Sequence, residues 1–206
     1  MNALVEVLLV FIGSCGTAST LYIFKMFRTL YKVTDDPGYN LTAFGFLFMA
    51  LGLLTETLMH VSHLYRLFTG TYIYFPLSIE LDRRLFCPLA PVFFVVAYTL
   101  YFSGVYVSNK MHKFILVVPL YPIAGILGEM NLLMLIMLLA SYIYIIENKN
   151  TKFIVFFTLL VISHLIVFGA LLNIEHAFYY MRIAFTFRAL APAVLLCLIK
   201  RGGEGQ

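Results

Sequence analysis

The stretch Leu41–Tyr65, LTAFGFLFMALGLLTETLMHVSHLY, decides how this chain is read. It runs 25 residues with one acid and no Lys or Arg. About 20 apolar residues make a helix long enough to cross the roughly 30 Å hydrocarbon layer of a bilayer. The predicted structure is therefore a transmembrane helix, bounded before by the breaker Asp35-Asp36-Pro37-Gly38 and after by Arg66.

Similar runs lie on both sides. Spans are predicted at about 3–24, 41–65, 86–107, 114–127, 131–146, 153–173 and 177–199. The fourth and fifth are short, and Pro119 and Pro122 kink the fourth. The chain is 62% hydrophobic and 12% charged over 206 residues, whereas soluble domains are nearer 45–50% apolar and about 25% charged. No soluble core of this length hides so much apolar surface. The expected fold is an all-α integral membrane protein, one compact seven-helix bundle over residues 1–206. A single sizeable loop, 67–85, lies between the second and third spans.

Loop charge sets the expected orientation. With the N-terminus outside, the cytoplasmic ends carry Lys25, Arg28, Lys32, Lys110, Lys113, Lys149, Lys152, Lys200 and Arg201, nine in all. The outer side carries Arg66, Arg83 and Arg84, three in all. A cytoplasmic C-terminus and a multi-pass protein of the cell membrane follow. The basic residues are scattered at helix ends, which argues against nucleic acid as a partner. Lipid and other integral membrane subunits are the expected partners. Cys15, Cys87 and Cys197 fall in or beside separate apolar segments and form no CxxC, so no disulfide framework is expected.

Ionisable groups in a bilayer are costly and mark functional candidates. Glu56, His60 and His63 recur at i, i+4 and i+7, on one helix face. Counted from Gly52 at the helix middle, Glu56 lies roughly 6 Å outward and His60 roughly 12 Å. His164 is near the centre of its span, as is Arg188; Arg182 and His176 lie toward the outer end. The polar residues thus collect in the outer leaflet.

Three readings of that set are open. In the first, haem b takes axial ligands from His60, His63, His164 and His176, with Arg182 and Arg188 as anion partners, or a quinone uses the same cluster. In the second, His60, His63 and His176 hold a metal, or Glu56, His164 and Arg188 form a proton relay, suiting quinol oxidation or small-solute transport. In the third, the polar groups only tie helices together, with a Glu56–Arg188 ion pair joining the second and last helices, as in a cofactor-free accessory subunit. An electron-transfer subunit of a larger membrane complex is the favoured expectation. A seven-helix sensor is a further alternative. No catalytic motif marks the chain as a stand-alone enzyme. Seven spans resemble the topology of retinal proteins and seven-helix receptors, but a retinal Schiff base needs a Lys within the last span, and none precedes Lys200 there.

The first helix carries Gly13, Gly16, Thr17 and Thr20 at i, i+3, i+4 and i+7. This small-residue seam allows close helix approach, to another helix of the chain or to a partner.

Overall fold

The computed structural model describes residues 3–74, 79–81, 84–86, 89–108, 134–136, 138–139, 141–142, 145–146, 150–172 and 176–203. The long elements are α1 (Ala3–Thr34), α2 (Pro37–Thr69), α3 (Leu89–Ser108), α5 (Thr151–Leu172) and α6 (Ala177–Gly203). Helical residues within 134–146 form α4. Among the described residues there are thus six helices, not the seven expected. The expected fourth span, 114–127, lies outside them. Among the described residues four helices are long and apolar enough to cross a membrane: α1, α2, α5 and α6. The third expected span, in α3, is a shorter apolar helix over Leu89–Val105.

The described residues of the expected loop 67–85 include regular structure. α2 continues to Thr69, and a short hairpin pairs β1 (Ile79–Leu81) with β2 (Arg84–Phe86), with Ile79 opposite Phe86 and Leu81 opposite Arg84. The fold is therefore helical with one small antiparallel ribbon, which lies beside α2.

Local chemistry explains the α1–α2 turn. Asp35 adopts φ 52°, a left-handed conformation that Asp tolerates better than most residues. The Asp36 side chain caps α2 by accepting the Gly38 N–H at 2.8 Å, and Pro37 starts the helix where its missing N–H costs nothing. At the far end Gly70 takes φ 79° and its N–H closes on the Arg66 carbonyl at 2.9 Å, a glycine C-cap. α1 and α2 therefore form an antiparallel pair. Below, "upper" denotes the end where α1 starts and α2 stops, and "lower" the end with the Thr34–Pro37 turn.

α1 lies beside α2 and α6, α3 beside α2, and α5 beside α6. The buried face of α1 is Glu6, Leu9, Gly13, Gly16, Thr20, Ile23 and Phe27. The steps alternate three and four, the seam of a left-handed helix pair. Lipid gives helices little hydrophobic reason to associate, so close packing must hold them. A Cβ on Gly13 would strike Thr57 of α2 and lie 2.7 Å from the Phe185 ring of α6. One on Gly16 would strike the Ala189 carbonyl oxygen and lie 3.0 Å from its Cα. The small-residue seam is thus an intrachain contact, wedging α1 between α2 and α6. α2 repeats the device on its other side. Gly45 and Gly52, one heptad apart, admit the rings of Tyr101 and Phe94 from α3.

The lower half is an aromatic core. Phe46 is central: its ring centroid is 5.5 Å from Phe27, 4.8 Å from Tyr101 and 5.6 Å from Phe156. Polar side chains collect above it.

Candidate functional site

The register of α1 that buries Gly13 also buries Glu6, seven residues earlier on the same face. Glu6 is wholly inaccessible to solvent. Its Oε2 accepts from His60 Nδ1 of α2 at 2.8 Å, and its Oε1 accepts from Arg182 Nη2 of α6. A lone carboxylate at such a position would be very costly. Two donors from two other helices compensate it, and Glu6 becomes the point where α1, α2 and α6 meet.

One turn below His60, Glu56 forms a second pair. Its Oε1 accepts from Arg188 Nη1 at 2.6 Å. Arg188 Nε donates to Ser163 Oγ of α5 at 3.3 Å, and that hydroxyl donates onward to the Ala184 carbonyl at 2.9 Å. Pro192 contributes here too: having no N–H, it leaves the carbonyl of Arg188, four residues earlier, without its usual helical donor. Both guanidiniums lie over aromatic faces, Arg188 over Phe94 at 4.5 Å and Arg182 over Phe178 at 4.2 Å. These cation–π contacts help cations that have left water.

The two pairs are neighbours. Arg182 and Arg188 are six residues apart on α6, roughly 9 Å of helix. Glu56 and His60 share a face of α2 and interact electrostatically. Tyr98 of α3 lies in the field of both Arg188 and Glu56, and its hydroxyl is 3.1 Å from His164 Nε2 of α5. The groups Arg182, Glu6, His60, Glu56, Arg188, Tyr98 and His164 thus descend from the upper end toward the middle of the bundle. Glu56 Oε2 and Arg182 Nε are buried without a hydrogen-bond partner among the described residues. Buried polar atoms of this kind are commonly satisfied by ordered water.

A roof covers the upper end. Ser62 Oγ donates to the Ile73 carbonyl at 2.8 Å and accepts the Ile73 N–H at 3.0 Å, pinning the chain that leaves α2. That fold-back places Tyr72 edge-on to His63 at 5.4 Å, with Arg66 donating to the Tyr72 hydroxyl. Phe178 meets the same imidazole at 5.6 Å.

The residues singled out from sequence are therefore placed unequally. His60, Glu56, Arg182 and Arg188 come together, and the two arginines meet protein carboxylates. His63 is buried beside them under Tyr72. His164 is fully buried but pairs with Tyr98 and not with His60. His176 is exposed, apart from the buried chain. Among the described residues no three metal-binding side chains converge. Pro119 and Pro122 lie outside the described residues.

Sequence reasoning left out Glu6, Tyr98 and Ser163. A signal existed for Glu6, since it lies one heptad before Gly13 and so on the close-packed face. Tyr98 and Ser163 had none, being ordinary residues of apolar helices. No protein-family model matches this chain, no curated protein matches it, and no solved structure does.

Proposed function

We propose that this chain is a multi-pass protein of the cell membrane with its upper end outside, and that its buried Glu/His/Arg chain relays protons between that end and the middle of the bundle. This is the work of a subunit serving a quinone or another electron-transfer partner. The observation that supports it is the placement of Glu6: a wholly buried carboxylate shares one hydrogen bond with an imidazole, and that imidazole stands one helical turn from a second, half-buried carboxylate. A proton on the Glu6–His60 pair passes to Glu56, whose Oε1 is held by Arg188 and whose Oε2 is unengaged. Tyr98 and His164 extend the line of proton-exchanging groups toward α5. Intramembrane carboxylate and histidine chains are the usual material of proton paths.

Haem b ligation draws less support from this geometry. His164 Nε2 is engaged by Tyr98 and His176 is exposed. A reduced-minus-oxidised visible spectrum of the purified protein decides the point, because a Soret band at one haem per chain would restore that reading.

The relay is tested in liposomes containing a trapped pH dye, with a potassium diffusion potential as driving force. Proton entry is expected above that of protein-free liposomes, cut at least tenfold by Glu56→Gln. Flux equal to protein-free liposomes, or unchanged in Glu56→Gln, would sink the relay. The second reading, a structural clamp, is favoured by the fact that Glu6 and Glu56 each have an arginine. It predicts no flux and a large loss of stability when either carboxylate is removed.

A further inference from the structure

Below the polar chain lies a cavity of about 370 Å³, within the roughly 300–1,000 Å³ range of small-molecule sites. We propose that this lower-end cavity binds a planar, apolar ring compound of the quinone class. Its walls include the rings of Phe27, Phe46, Tyr101 and Phe156, fixed against one another at centroid distances of 4.8–6.1 Å. Such walls favour a flat π-system, which stacks on ring faces, over an acyl chain, which gains only dispersion. Tyr39 and Asn150 line the same space and bring a hydroxyl and an amide. These are the donors that a ring carbonyl needs to be oriented in an otherwise apolar site. Tyr101 also packs on Tyr98, at 6.2 Å, so the cavity adjoins the inner end of the polar chain.

The purpose of the ligand rests on the relay proposal; its binding does not. Equilibrium dialysis of the full chain in detergent against 2-methyl-1,4-naphthoquinone measures binding directly. Saturable binding near one per chain is expected. Val105→Phe and Ile145→Phe, which add bulk to the cavity wall, are each expected to weaken it at least tenfold. Should either fail to give a monodisperse protein, Asn150→Leu at an exposed position carries the same expectation in weaker form, about threefold. Glu56→Gln is expected to bind normally, which separates this site from the relay. Uptake no greater than that of empty micelles, or unchanged binding in the folded filled variants, would overturn the proposal. So would displacement by equimolar oleate, which would make the cavity an acyl-chain site.

Discussion

Arg182 donates to Glu6 across 176 residues of chain, joining the first turn of α1 to the second turn of α6. The same carboxylate accepts from His60, so one acid organises three helices.

Removing that acid leaves Arg182 half-buried without its carboxylate and His60 without its acceptor. Breaking one side of a fully buried ion pair costs about 3–5 kcal/mol, and the partial exposure of Arg182 puts this one below that range. Glu6→Ala is therefore expected to lower the thermal unfolding midpoint of the detergent-purified protein sharply. Glu6→Gln, which keeps an acceptor oxygen for Arg182, should lose less. Equal midpoints for Glu6→Ala and the parent chain would show that the contact holds nothing together.

Glu56 and Arg188 should behave as a coupled pair. Either single change, Glu56→Leu or Arg188→Met, leaves one charge without its partner. The double change strands none, and replacing a whole buried pair by apolar residues is often neutral. The double variant should thus be more stable than the Arg188→Met single variant, with a coupling of about 1–3 kcal/mol in a double-mutant cycle. Strict additivity would argue against a direct interaction.

Two glycines give opposite expectations. Gly16→Val forces a side chain into the Ala189 backbone, which cannot yield as a flexible side chain would, and overpacking of this kind costs about 1–3 kcal/mol or more. Gly169 of α5 has open space where a Cβ would lie. Gly169→Ala should be neutral or stabilising by up to about 1 kcal/mol through helix propensity. Unfolding midpoints of the two variants, measured side by side, check both.

The roof over His63 depends on Ser62. Ser62→Ala removes both hydrogen bonds to Ile73, each worth about 0.5–1.5 kcal/mol. Amide exchange at Ile73 should accelerate at least tenfold while exchange in the middle of α2 stays unchanged. Protection at Ile73 equal to that in the parent chain would mean the aromatic contacts of Tyr72 suffice to hold the segment.

The sequence by itself determined the four long apolar helices α1, α2, α5 and α6 and much of their limits. Hydropathy and length mark spans because backbone polar groups in lipid must be satisfied within each helix. Asp35-Asp36-Pro37-Gly38 carried the α1–α2 turn in its own chemistry, since capping is local. The i, i+4, i+7 spacing put Glu56, His60 and His63 on one face for the same reason. Spacing cannot say what a face meets. The seam at Gly13 and Gly16 suited a partner as well as a neighbour until α2 and α6 were seen against it. Only the bundle brings Glu6 its partners His60 and Arg182, from 54 and 176 residues away. The Glu56–Arg188 pair had been one option among several for each residue. Which carboxylate meets which guanidinium depends on helix order and rotation in the bundle. Those are set by packing at the glycine seams and the aromatic core, and no local pattern in the sequence encodes them.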